Sequence, residues 1–506
     1  MTRLLVIGLD CATPQLVFDA WRKDLPTFDR LMGEGIYGEL ESTIPPITVP
    51  AWTAMLSSKD PGQLGFYGFR NRKSRGYEAL YFANASYIRE RRVWEHLDDA
   101  GLRSILIGVP QTFPPKPLNG IMVGSFLTPD KSAAYTYPPG VKEDLDRIAG
   151  GDYIIDVRDF RTDDKERLRD EVYAMTERRF KVANHYLRQE PWDFFMVVEM
   201  GVDRMHHGFW RYHDRNHRLY EPDNAYENVI YDYYRYVDRE MGRLLEGLDP
   251  DTAVMVVSDH GAKKMDGAIC VNEWLMEKGY LHLKTAVEEP TRLVPDMIDW
   301  EKTRVWSEGG YYARIFLNVT GREPQGVIPQ EKYESFRDRL KEEIESLGDE
   351  AGRPIGTRVF KPEAIYRSVR NIPPDLIVYF GDLDWRAAGT VGHGSIHLHE
   401  NDTGPDDANH AEKGIFVLRT APERWAESGL KTGQKVSGLS LYEVAPTILD
   451  LFGRPIPSDM IGRSVLRPET EGTGPREEVG PEASGEDYTE EEEAIIRKRL
   501  EDLGYL

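Results

Sequence analysis

Cysteine is nearly missing from this sequence. Two residues, Cys11 and Cys270, stand among 506, which excludes a disulfide framework and makes a reducing compartment, the cytoplasm, the expected location. In that setting the sequon Asn318-Val319-Thr320 predicts no glycan. Long apolar runs are missing too, since no stretch reaches the roughly 18 uninterrupted apolar residues of a membrane span. The opening "MTRLLVIGLDCATP" is apolar only briefly and stops at Asp10, so it reads as a buried strand rather than a signal peptide. Nor is there an excess of basic residues. The formal net charge of −22 argues against a general nucleic-acid binder, whose footprint is positive. Much of the acid sits in the C-terminal tail, so the total speaks to solubility and not to a cleft. No internal repeat is visible, and nothing in the sequence sets the oligomeric state.

What is there describes an ordinary globular protein, 40% hydrophobic and 30% charged. The length exceeds one simple core and predicts a large domain with an insertion. Runs rich in Val, Ile and Leu at 3–10, 104–110, 193–201, 252–261, 375–380 and 414–418 read as strands buried on both faces. Helical patterns cover 163–187, 228–248 and 440–453. The alternation predicts an α/β fold, a mostly parallel central sheet flanked by helices, with its site at the carboxyl ends of the strands. Residues 1–281 and 373–467 form the expected main domain, and 282–372 a smaller α+β insertion. After residue 468 a stretch poor in apolar residues predicts a flexible acidic linker. It leads to a C-terminal docking helix with a capping box at Thr489 and Glu492 and a stripe at Ile495, Ile496 and Leu500.

One helix start is unusual. In "IPPITVPAWTAML", residues 44–56, Pro45 and Pro46 forbid helix upstream, and Pro50 fits a first turn. Ala51 to Leu56 reads as helical, leaving Thr48 just outside, close to the N–H donors and the positive dipole end. Thr48 is then either a cap or a reactive hydroxyl. The strand ends bear on the choice. The first strand ends in Asp10; "VDRMHHGFW" follows the strand at 193–201 and sets Asp203 and His207 four apart, on one helical face. The strand at 252–258 ends in Asp259-His260, and "DDANHAEK" supplies His410 before the run at 414–418. A strand-terminal Asp alone is commonly a turn former or cap. Together, carboxylate and imidazole suit zinc, manganese or iron(II), and without cysteine ligands they do not make a structural zinc site.

In this combination the residues resemble the alkaline phosphatase superfamily, specifically its type I phosphodiesterase and nucleotide pyrophosphatase branch. "TVPAWTAMLSSKDPGQLG" carries Thr48, Pro50, Pro61 and Gly65 in similar spacing, and Asp203/His207, Asp259/His260 and "ANHAEKGIFVL" match its later elements. "LYEVAPTILDLFGRPIPSDMIGRSVL" resembles its closing helix and loop. The resemblance spans nearly all of 1–467. It implies two divalent cations, zinc before manganese: one held by Asp10, Asp259, His260 and the Thr48 oxygen, the other by Asp203, His207 and His410. It also implies that Thr48 is the nucleophile of a two-step phosphoryl transfer through a phosphothreonine.

The implied substrate is a small phosphodiester or nucleotide. Two dications against three aspartates leave about one positive charge, cancelled when Thr48 ionises, which suits a monoanionic diester better than a dianionic monoester. Phosphomonoester and phosphonate hydrolysis are the alternatives within the superfamily, and a metal-free binding scaffold the alternative outside it. Sulfatases need a C/S-x-P-x-R motif that is absent, and cofactor-independent phosphoglycerate mutases need Ser with a large insertion directly after it. In "GFYGFRNRKSRGYE" Arg70, Asn71 and Arg72 are candidate substrate-binding residues, the other reading being a solvated basic loop. His393, His397 and His399 form a second histidine cluster, and His206 lies beside His207; the resemblance favours His410, which precedes an apolar strand as in the family, and the four-residue spacing favours His207.

Overall fold

Six consecutive residues, Leu4–Leu9, form strand β1, and every one is buried. A strand apolar on both faces belongs inside a sheet covered on both sides. The computed structural model describes residues 2–78, 80–467 and 485–502, and in it β1 lies within a ten-stranded sheet. With β2 (Ile36–Glu41), β3 (Ser104–Ile107), β4 (Gly120–Val123), β5 (Phe194–Glu199), β6 (Ala253–Val257) and β7 (Lys413–Arg419), the order is β2-β7-β6-β1-β5-β3-β4. Short strands of two residues, Gln434–Lys435 and Thr136–Tyr137, extend the two ends. From β6 to β4 the pairing is parallel, in a register that sets Leu4 beside both Phe194 and Ala253. The sheet is therefore mostly parallel, as the strand pattern implied. The exceptions are β7, antiparallel to both β2 and β6, and the short Thr136–Tyr137, antiparallel to β4; an apolar run shows burial but not direction.

Helices cover the faces. The long α2 (Lys165–Gln189) begins where Asp164 accepts a hydrogen bond from the Arg167 N–H at 3.2 Å, and buries Leu168, Val172, Met175 and Phe180. α3 (Gly201–His213) follows β5 directly, and α4 (Val229–Leu245) buries Ile230, Tyr233, Val237 and Met241 at helical spacing. A second, four-stranded antiparallel sheet is built from Val305–Glu308, Ala313–Leu317, Arg358–Phe360 and Leu376–Tyr379, with the helix Tyr333–Glu345 and its own apolar core. The strand expected at 375–380 thus forms, but it pairs in this sheet and not in the central one. Asn318 of the sequon is fully buried, its amide donating to the carbonyls of Trp300, Thr303 and Gln325. Both cysteines are buried and unbridged. Among the described residues no helix is long and apolar enough to cross a membrane.

The C-terminal helix α5 (Glu490–Asp502) docks as expected, with the capping box between Thr489 and Glu492 in place. Ile496 and Leu500 are buried, whereas Ile495 is 37% exposed and not part of the docking stripe. The expected linker from 468 falls largely outside the described residues.

α1 (Thr48–Ser57) is buried along its whole length. Its Trp52 lies across β1 at Gly8, where a Cβ would fall 2.5 Å from the indole and 2.8 Å from Val198. The absent side chain is what allows this approach. Gly8→Ala should therefore destabilise the protein by about 1–3 kcal/mol, the usual penalty of overpacking, read as a lowered urea midpoint at unchanged m-value.

Candidate active site

Thr48 is the first residue of α1, not its cap. The cap position belongs to Ile47 in extended conformation, with no side-chain hydrogen bond. Pro50 then sits third, among the leading positions whose N–H groups have no partner inside a helix, so its missing donor costs nothing. The helix starts one turn earlier than the sequence suggested, which frees the Thr48 hydroxyl from capping. Thr48 is 1% exposed, and its Oγ1 lies 3.4 Å from His260 Nε2.

The carboxylates arrive on the ends of the parallel strands. Asp10 follows β1, Asp203 stands in the first turn of α3 after β5, and Asp259-His260 follow β6. Cys11 adopts φ +65°, which turns its N–H onto Asp259 Oδ1 at 3.2 Å. Trp52 Nε1 donates to Asp10 Oδ2 at 2.7 Å. His410 comes from the strand Ala408–Ala411, which pairs antiparallel with Gly261–Lys264 and sets His410 beside Ala262. Because β7 runs against β6, the residues entering β7 lie at the edge where β6 ends. The His260 and His410 rings stack with centroids 3.8 Å apart.

Two groups of donor atoms result, each within 4.8 Å of one another: Asp10, Asp259 and His260, and Asp203, His260 and His410. His260 is common to both, a sharing that the sequence did not reveal. His207 joins through Asp203, its Nε2 being 3.3 Å from Asp203 Oδ1. The three imidazoles are oriented alike. His207 Nδ1 faces Asp406 Oδ1 at 2.8 Å, His260 Nδ1 the Gly261 carbonyl at 3.2 Å, and His410 Nδ1 the Pro46 carbonyl at 2.7 Å. A carbonyl or carboxylate only accepts, so each Nδ1 carries a proton and each Nε2 is the atom turned to the carboxylates.

Burial dominates the electrostatics. Asp10 and Asp259 are held well above the ordinary carboxylate range, first by loss of water and then by neighbouring carboxylates, Asp203 for Asp10 and Asp10 for Asp259. For Asp203 burial acts the same way, but His207, Arg204 and His410 outweigh it and hold it well below that range. His207 is driven up to about 9: burial opposes its charge, but Asp406 and Asp203 prevail. His260 is pushed down to about 4 by burial.

Asp10 Oδ1 and Asp259 Oδ2 are buried atoms with no hydrogen-bond partner among the described residues, and Asp203 Oδ1 has only the 3.3 Å approach of His207 Nε2. Unsatisfied buried oxygens at this density are costly, and a divalent cation is the partner that the donor set fits. All seven residues expected at the centre are thus brought together: Asp10, Thr48, Asp203, His207, Asp259, His260 and His410. Sequence reasoning missed the residues that hold them. Asp406, in the acidic run before His410, binds His207, the Tyr311 hydroxyl at 2.8 Å and Arg161. Arg204 bridges Asp203 and Asp156. Acidity near a histidine was the signal for Asp406; Arg161 and Tyr311 had none.

The remaining candidates lie elsewhere. His206 Nε2 meets the Tyr234 hydroxyl at 3.2 Å. His393, His397 and His399 contact Thr390, the Gly348 carbonyl and Glu350. Asn71 spends its amide on its own turn, accepting from the Tyr67 N–H at 2.8 Å and donating to the Gly68 carbonyl at 3.0 Å. Arg70 faces Glu308 and Arg72 faces Glu323. Among the described residues, no hydrogen bond or ion pair of these three reaches the Asp/His cluster.

The type I phosphodiesterase / nucleotide pyrophosphatase family model matches residues 4–406. Among solved structures the chain is similar to human ectonucleotide pyrophosphatase / phosphodiesterase 5, with 13% identity, a TM-score of 0.51, and coverage of 90% of this chain and 96% of that one. At that identity the likeness is one of fold. No curated protein matches the chain in sequence.

The raised His207 pKa makes a prediction for metal-free protein. A folded pKa near 9 against about 6.5 unfolded gives stability that is fully present below pH 6.5 and lost as pH rises to 9. The melting temperature of chelator-treated protein should fall across that window, and His207→Gln should flatten the fall.

Proposed function

The chain belongs to the type I phosphodiesterase / nucleotide pyrophosphatase family, hydrolases of phosphoric ester bonds, and from that premise we propose that it cleaves small phosphodiesters or pyrophosphates with Thr48 as nucleophile. The observation that carries the reading is the position of Thr48 Oγ1, at the first turn of a helix and 3.4 Å from His260, within the buried Asp/His cluster. Asp10, Asp259 and His260 would hold one divalent cation and Asp203, His207 and His410 the other, with zinc or manganese fitting these ligands. Bound there, the cations would supply Lewis acidity and the positive charge that makes loss of the Thr48 proton feasible near neutral pH.

The chain's own groups account for the rest. Thr48 Oγ1 attacks phosphorus, forming a threonine O–P bond as the ester oxygen leaves with its electron pair and takes a proton. Water then attacks the phosphothreonine, releasing the phosphate and returning the hydroxyl. The first-turn amides of Thr48 and Val49, without partners inside the helix, would be available to the phosphoryl oxygens. Trp52 and Cys11 fix the carboxylates of Asp10 and Asp259, and Asp406 fixes the His207 ring.

Charge favours a diester. Two dications and three aspartates leave one positive charge, which the ionised Thr48 cancels. The nearby guanidiniums do not change the sum: Arg204 is matched by Asp156, and Arg161 by Asp406. Neither guanidinium is left as a clamp for a second phosphate charge.

Thr48→Ala should lower turnover of bis(p-nitrophenyl) phosphate by on the order of 10³-fold or more with an unchanged circular dichroism spectrum. A variant with wild-type rate would remove the assignment. Chelation should abolish activity, and zinc or manganese at 100 times its Kd should restore it and stabilise the fold by about 2.7 kcal/mol. Asp259→Asn should weaken that stabilisation, and p-nitrophenyl phosphate should be the poorer substrate.

A further inference from the structure

A cavity of about 630 Å³ lies outside the Asp/His cluster, none of whose members lines it. Its size is that of a small-molecule site, roughly 300–1,000 Å³. Four separated parts of the chain enclose it: the hairpin after the Thr48 helix, the segment leading into the second sheet, a stretch between 389 and 403, and helix α5.

One part of the lining is apolar. Trp300 stacks on Tyr77 with ring centroids 3.6 Å apart and meets Trp306 edge-on at 5.1 Å. Val294 on the same lining is 41% exposed, an uncommon state for a large apolar residue in this protein. Most of the charged part is paired, Asp402 with Arg386 at 3.7 Å, and Glu78 is exposed. Arg292 meets Glu501 at 2.8 Å, Arg497 meets Glu493 at 2.7 Å, and Glu308 meets Arg314 at 2.6 Å.

Among the described residues of the lining, Arg70 is the least closely paired cation. It is 7% exposed, the Glu308 oxygen it faces is 3.9 Å away, and its Nε has no acceptor among the described residues. Burial draws its pKa down to about 10; Glu308 opposes the change, and Arg314, Arg292 and Arg497 add to it. A buried guanidinium with an unused donor is costly, and it lines a cavity with room for an acceptor.

We propose that this cavity binds a small organic anion, its single phosphate, sulfonate or carboxylate head at Arg70 and its flat apolar body along Val294, Ile298 and Trp300. The site is independent of the hydrolytic reading and requires no metal. Because α5 forms part of the enclosure, occupancy also ties that helix to the body of the protein.

The test is calorimetric titration of the chelator-treated full chain with 1-naphthalenesulfonate, and with inorganic phosphate as the head group alone. One equivalent of sulfonate should bind, at least tenfold more tightly than phosphate. Arg70→Met should weaken it at least tenfold, and so should Val294→Asp, a change at an exposed position that leaves the core intact. Absence of saturable sulfonate binding to folded protein overturns the proposal, as does equal affinity for wild type and Val294→Asp. An active Thr48→Ala variant would sink the hydrolytic reading and leave this result untouched.

Discussion

Three carboxylates share a space almost closed to bulk solvent. Asp10, Asp203 and Asp259 are each at most 1% exposed, and charges so placed are stable only when matched. The fold matches one of them: Asp203 is held ionised by His207 and Arg204, the latter shared with Asp156. The other two are left with burial and mutual repulsion, which raise their pKa values. A protein spends stability on such a cluster when something else completes it. The orphaned oxygens and the common turn of three Nε2 atoms toward the carboxylates form a donor set that could hold a cation.

The central sheet makes the convergence possible. Parallel strands deliver their carboxyl ends to one edge, which accounts for Asp10, Asp203 and Asp259-His260. His410 precedes its strand, so a parallel β7 would have left it at the opposite edge. The antiparallel β7 reverses that and allows the pairing of Ala262 with His410. Thr48 reaches the same edge because α1 follows β2, which is antiparallel to β7 in turn. Gly8 lets α1 lie close enough for Trp52 to bind Asp10.

The second sheet takes part in the site. Tyr311, at the entrance to its strand Ala313–Leu317, stacks on His207 and His410 at 4.9 and 4.6 Å and donates to Asp406. The adjacent Arg314 donates to the Arg70 carbonyl and pairs with Glu308. The same short segment therefore touches the Asp/His cluster and adjoins the anion cavity, where it holds the backbone of the hairpin that carries Arg70.

Much of this was legible in the residues. Buried strands announce themselves as apolar runs, the i, i+4 spacing of Asp203 and His207 survives as one face of α3, and strand-end carboxylates stay at strand ends because local geometry puts them there. Other features depend on partners far along the chain. The direction of β7, the sheet to which Leu376–Tyr379 belongs, the sharing of His260 between two donor groups, and the support of His207 by Asp406 and Arg161 are contacts across roughly 50 to 250 positions. The sequence by itself determined which residue types stand at the ends of which elements, since propensity and periodicity are short-range. Only the tertiary structure decided which of those ends meet, because that choice is made by packing and by the pairing of buried charge.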